Sequence, residues 1–162
     1  MIEIREAVQP IEVDAARTLF EAYAASLGID LAFQDFAREL QSLPGGYAAP
    51  YGALLLAWRA DQAIGCVAIR PLSWPQFAEL KRLYVVPEAR GINLGVHLST
   101  AAFARARQIG YATVRLDTLP SMVTAQRMYE SMGFREIDAY RFNPVEGTRY
   151  MELDLIGDRP EA

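Results

Sequence analysis

Residues 83–98 read LYVVPEARGINLGVHL and contain the strand-to-helix junction on which the fold turns. A β-branched run ends at Pro87, Arg90-Gly91 follow, and Gly95 stands just inside a helix-like segment. The first turn of a helix leaves backbone N–H groups without partners, and the helix dipole adds partial positive charge there. An anion seated on those groups satisfies both. Glycines at 91 and 95 let the backbone approach closely because no Cβ intervenes, and Pro87 presets the turn ahead of them. Residues 90–95 are therefore a candidate phosphate seat, the alternative being a loop that holds only itself. The junction is not a P-loop, having no Gly-Lys-Ser/Thr. It also lacks the three-glycine dinucleotide fingerprint, and a Rossmann turn usually comes first in the chain.

The rest of the chain is arranged around this junction. Residues 2–8 alternate as a first strand, and residues 13–27 carry Ala16, Leu19, Phe20, Tyr23 and Leu27 at helical spacing. A shorter helix in FQDFARELQSL stops at Pro44-Gly45-Gly46. GALLLAWR and AIGCVAIRPL flank the polar turn Ala60-Asp61-Gln62, a hairpin whose continuous apolarity predicts strands covered on both faces. ELKRLYVV is the next strand. A helix runs from Leu94 to Ile109, closed by Gly110 as a left-handed cap. After the strand ATVRLDT, Ser121 is expected to cap a helix whose inner face is Ala125, Met128, Tyr129 and Met132. FREID and RYMELDL close the order β-α-α-β-β-β-α-β-α-β-β, an α/β layer fold with a mixed sheet.

Bulk properties narrow the function. The chain has 162 residues, 52% of them hydrophobic and 22% charged, with mean hydropathy +0.05, which suits one soluble domain. We expect that domain over residues 1–156 and a polar tail over 157–162. Net charge −4 and pI near 5.1 supply no field for nucleic acid or anionic lipid, so an anionic ligand needs a local device. No apolar run approaches the ~18 residues of a membrane helix. MIEIREAV lacks the basic-then-apolar order of a signal peptide. A single cysteine, Cys66, excludes an intramolecular disulfide and fits a reducing compartment. The expectation is a cytoplasmic protein with neither nucleic-acid nor membrane partner. No His/Cys/carboxylate cluster has metal-ligand spacing, so no metal is expected.

ELKRLYVVPEARGINLGVHL resembles the signature of the GNAT superfamily, the acyl-CoA-dependent N-acetyltransferases, in which Arg/Gln-x-x-Gly-x-Gly/Ala follows a strand of the form Leu-x-Val-x-Pro. AQRMYESMGFREI, residues 125–137, resembles the family's later motif, where Ala and Tyr precede Gly-Phe. The resemblance implies a GNAT fold: a central mixed, mostly antiparallel sheet of about seven strands with splayed central strands, flanked by about four helices. It implies acetyl-CoA as cosubstrate, its pyrophosphate on the backbone of Arg90, Gly91, Ile92, Asn93, Leu94 and Gly95. The pantetheine arm would pair like an extra strand beside Leu83, Tyr84 and Val85. Two positions depart from the family. Asn93 replaces the middle glycine, and Ser121 and Met122 stand where an asparagine is common; Ser121 is either a polar cofactor contact or the helix cap.

The resemblance also assigns catalytic roles. Tyr129 matches the tyrosine that in many members donates to the leaving sulfur; the residue pattern alone allows simple packing beside Met128 and Met132. Glu79 matches the glutamate some relatives use as general base, directly or through water, the alternatives being an ordered water chain in its place and a solvated charge paired to Lys81 or Arg82. Strand alternation puts Glu79, Lys81, Leu83 and Val85 on one face. A backbone N–H of the Val85 region would meet the oxyanion, again by family inference. His97, the only histidine, and Cys66 read as structural. The acceptor would meet residues 27–47, 73–77 and 140–150, which hold Phe33, Tyr47, Trp74, Phe77, Tyr140, Phe142 and Tyr150, together with Asp30 and Asp35. An aromatic wall of this kind suits a small or partly apolar amine, and the acceptor class expected is a small-molecule or peptide amine. The expected function is acetyl transfer from acetyl-CoA to a primary amine in a ternary complex. The alternatives are a non-catalytic acyl-CoA-binding module and a regulator binding another phosphorylated ligand. The closing strands offer a surface for a homodimer.

Overall fold

The computed structural model describes residues 1–32 and 35–155. One seven-stranded sheet organises it: β1 (Ile2–Glu6), β2 (Ala53–Arg59), β3 (Gln62–Ser73), β4 (Phe77–Val85), β5 (Thr113–Thr118), β6 (Arg135–Ile137) and β7 (Arg149–Asp154). Across the sheet the order is β1-β2-β3-β4-β5-β7-β6, and the β4–β5 pair alone is parallel among these strands. Helices α1 (Pro10–Leu27) and α2 (Phe36–Ser42) pack on one face. Helices α3 (Leu94–Ile109) and α4 (Val123–Ser131) pack on the other.

The two faces explain the apolar runs of β2 and β3. Ala53, Leu55, Ala57, Val67 and Ile69 enter the core under α3, while Leu54, Leu56, Trp58, Cys66 and Ala68 enter the core under α1. With a period of two, a strand buried on both sides must be apolar at nearly every position. Cys66 lies in that second core, and burial raises its thiol well above the usual range.

Most boundaries fall where local chemistry puts them. Glu12 accepts the backbone N–H groups of Val8 and Gln9 (3.1 and 2.9 Å) at the start of α1, and Gly28 ends that helix with φ 66°. Gly110 closes α3 with φ 115°. Two boundaries differ from expectation. Gln62 opens β3 rather than completing the turn, which Ala60 makes with φ 53°. Met122, not Ser121, occupies the N-cap of α4, and no side chain caps it. The expected tail over 157–162 lies outside the described residues.

Candidate active site

β4 and β5 pair only at Phe77–Thr113, Ala78–Val114 and Glu79–Arg115. Beyond that point they part, and β5 continues paired to β7 alone. A parted pair leaves strand-edge backbone groups facing a cleft, the arrangement that lets an extended ligand take the place of a missing strand.

A bulge in β4 accompanies the parting. Cys66 pairs with Tyr84 but Ala68 pairs with Lys81, so Val67 faces two residues, Arg82 and Leu83. Arg82 takes φ 62°, unusual for a residue with a side chain. Three contacts hold it there. Its Nε and Nη2 donate to the two carboxylate oxygens of Glu39 on α2 (2.8 and 2.9 Å), its carbonyl accepts the Cys66 Sγ–H (3.2 Å), and its guanidinium lies 5.1 Å from the centre of the Phe36 ring. The bulge corrects the expected alternation. Glu79 and Lys81 align with Arg70 and Ala68, on the α1 side, whereas Leu83 and Val85 pack toward α3. The extra residue shifts the pleat by one, so residues on either side of Arg82 change faces.

At the mouth of the cleft, between α3 and α4, lies a cavity of about 530 Å³. It brings together Leu83, Tyr84 and Val85 of β4 with Arg90, Gly91, Asn93, Leu94 and Gly95. Gly91 has φ 91°, and a Cβ there would meet nothing within 4 Å. A Cβ on Gly95 would sit 3.6 Å from Met128 Sδ and narrow the gap between the helices. Asn93 is the N-cap of α3, left-handed at φ 60°, a conformation Asn adopts more readily than most residues. The Arg90 Nε donates to the Val85 carbonyl (3.1 Å), tying the loop to the end of β4. The cradle of open backbone at a helix start fits the anionic, extended shape of an acyl-CoA.

Two expected contacts stand apart from this cavity. The side chain of Ile92, expected only through its backbone, turns outward beside Ile2, Ile4 and His97, and Ser121 is exposed and lines neither this cavity nor the cleft floor. Thr124 lines the cavity instead. Its sequence signal was the i, i+4 relation to Met128.

The cleft narrows at its floor to a space of about 50 Å³ shared by Tyr23, Lys81, Arg82, Asp117 and Tyr129. Tyr129 is buried with its ring 5.4 Å from that of Phe134, and burial first, then Tyr23 and Asp117, push its phenol pKa upward. Glu79 is 0% exposed. Its Oε1 accepts Arg70 Nε and Arg141 Nη2, both at 2.9 Å, and its Oε2 accepts the Tyr140 hydroxyl at 2.7 Å. Burial alone would raise its pKa, but Lys81, Arg70, Arg141 and the Tyr140 hydroxyl together hold it below the ordinary carboxylate value.

The aromatic residues do not form one wall. Tyr47 is buried against Phe20, Trp74 lies between Tyr51 and Tyr111, tilted to the first and edge-on to the second, and Phe142 is 81% exposed. Tyr140, Tyr150 and Phe77 do gather near Glu79, with the Arg115 guanidinium 3.6 Å from the centre of the Phe77 ring. Phe33 lies outside the described residues. Arg70 and Arg141 were missed as site residues, and Tyr140, expected in the acceptor wall, was not linked to Glu79, because these contacts span 9, 62 and 61 positions of sequence.

A mixed sheet that parts beside a glycine-rich helix start defines the GNAT fold. Residues 14–134 match the acetyltransferase (GNAT) family. An uncharacterised N-acetyltransferase of Schizosaccharomyces pombe is 37% identical over 155 residues, covering 95% of each chain. A GNAT-family acetyltransferase of Staphylococcus aureus superposes with TM-score 0.79 at 20% identity, covering 96% of this chain and 99% of its own. An aminoglycoside 6'-N-acetyltransferase solved in complex with coenzyme A gives TM-score 0.71 at 17% identity, with 99% of each chain covered. The chain belongs to the GNAT family of acetyltransferases. Among the described residues no helix is long and apolar enough to cross a membrane.

Proposed function

We propose that the chain is an N-acetyltransferase that moves the acetyl group of acetyl-CoA to a primary amine by direct attack in a ternary complex. The observation that carries this reading is the pair of cavities, sharing Leu83 and Ala125 in their linings, that set the helix-start cradle and the unpaired edge of β4 beside Tyr129. The coenzyme A bound to the structurally similar aminoglycoside enzyme supports the choice of ligand.

Acetyl-CoA supplies a thioester carbonyl open to attack by nitrogen. The backbone of residues 90–95 holds the anionic end through the α3 N–H groups, and Leu83 to Val85 align the arm along β4. Tyr129, kept protonated by burial, donates to the departing sulfur. With the phenol pKa above its usual value of about 10, the phenolate is a stronger base than a thiolate whose thiol ionises near ~8.5, so the phenol acts mainly as a hydrogen-bond donor that gives up its proton late. Glu79 was expected as the base. In our reading it is the fixed anion of the acceptor pocket, because both its oxygens already accept hydrogen bonds and neighbouring cations weaken its basicity. Small-molecule and peptide amines are the acceptor class.

Calorimetric titration with acetyl-CoA, coenzyme A and ATP tests the cradle. Saturable binding of both coenzyme A forms and not of ATP is expected, followed by coenzyme A release when an accepted amine is added. Absence of coenzyme A binding would reduce residues 90–95 to an ordinary helix start.

A further inference from the structure

The chain carries sixteen Lys and Arg residues, of which fifteen are arginine. The single lysine, Lys81, is not at the surface: it is 6% exposed and lines the cleft floor together with Tyr129. Arginine stays charged in any protein environment, whereas lysine shifts its pKa readily when buried. Around the cleft, the ion pairs Arg70–Glu79, Arg82–Glu39 and Arg141–Glu79 use arginine. The one lysine amine of the chain is thus enclosed beside Tyr129, where a nitrogen nucleophile must lose a proton.

Resting on the acetyltransferase reading above, we propose that Lys81 is the proton acceptor for the incoming amine. It sits one residue before the Arg82 bulge, at the level where β4 and β5 part, so its side chain reaches the floor on the acceptor side while the arm of the donor lies beyond the bulge. The charged and titratable groups around it are Glu79 and Arg82 on β4, Arg70 on β3, Asp117 on β5, Tyr23 on α1 and Tyr129 on α4. Burial lowers the Lys81 pKa to about 8, with Arg82 and Arg70 acting in the same direction and Glu79 and Asp117 opposing them. Neutral Lys81 takes one proton from the amine nitrogen as that nitrogen bonds to the acyl carbon and the carbon–sulfur bond breaks with its electron pair on sulfur. Tyr129 gives sulfur its proton, and the Lys81 ammonium returns a proton to the phenolate across the shared cavity. Every proton is accounted for, and Glu79 remains anionic throughout.

The lone lysine makes the test direct. Full-length protein grown on lysine labelled with ¹³C at Cε gives one such signal, whose shift is followed from about pH 6 to 10. The expected midpoint is near 8, matched by a rise of kcat/KM with pH through the same point. Lys81→Arg keeps the positive charge beside Glu79 and Asp117 but cannot give up its proton, so it loses about 100-fold or more in kcat while acetyl-CoA affinity is retained. Lys81→Met, closer in volume and uncharged, is expected to lose turnover likewise. A midpoint at the ordinary lysine value, or full turnover by either variant, overturns the assignment alone. A parent chain that binds acetyl-CoA but acetylates no amine overturns the enzymatic reading, and this assignment falls with it.

Discussion

At the scale of single residues, the cleft floor is a set of side chains whose ionisation is governed by burial and by neighbours. Tyr129 is the clearest case, since its phenol is kept protonated over the whole physiological range. Tyr129→Phe keeps the ring that packs on Phe134 and removes only the donor. We expect a fall in kcat on the order of 100-fold with the acetyl-CoA dissociation constant unchanged, read by initial rates and calorimetry. A turnover equal to the parent's would remove Tyr129 from the reaction. The position of this tyrosine was legible because it lies on a helix stripe with Ala125 and Met128, set by local spacing. The surroundings of Glu79 were not legible. Alternation alone says which residues could share its face, and nothing local says that Tyr140 and Arg141 arrive from a connection 61 and 62 positions away.

At the scale of elements, α2 acts as a clamp on β4. It is a seven-residue helix with none of its residues buried, too short to hold itself together in water. Glu39 anchors it through the bidentate pair with Arg82, whose side chain is 2% exposed. Glu39→Ala leaves a buried guanidinium without its counter-ion and is expected to cost about 3 kcal/mol or more, read as a lower urea midpoint. Loss of less than a surface pair would contribute, about 1 kcal/mol, would mean that Arg82 finds another partner. The limits of α3 were readable to the residue, from the apolar periodicity and Gly110. The bulge was not, because an arginine at φ 62° sends no sequence signal comparable to glycine. It is stabilised from outside, by Glu39, Cys66 and Phe36. The start of α4 was misplaced for a related reason: Ser121 has the chemistry of a cap, yet the chain turns into the helix one residue later.

At the scale of the whole molecule, buried titratable groups of both kinds shape the response to pH. Lys81 has its folded pKa depressed to about 8 from 10.5. Above pH 8 the unfolded chain therefore binds more protons than the folded one, and stability rises with pH. Cys66 and the buried phenols of Tyr47, Tyr129 and Tyr140 have raised folded pKa values, against ordinary values of 9.0 and 10.0. They reverse the sign once the unfolded chain begins to ionise there. Urea midpoints should climb above neutrality, turn over near pH ~9 and then fall, and Lys81→Arg should abolish the climb. A flat parent profile through that range would contradict the burial of Lys81. The order of elements and the parting of central strands were legible from motifs. The insertion of β7 between β5 and β6 was not, since pairing order across a sheet is decided by packing over the whole layer.

The concentration of positive charge in arginine has a chemical corollary. Activated thioesters acylate exposed primary amines without any enzyme, and the commonest such target on a protein is a surface lysine ε-amine. The exterior of this chain presents none, and its only ε-amine is enclosed at the cleft floor. Its side chains are thereby poor acceptors for the reagent the molecule is proposed to handle, largely inert toward stray acylation.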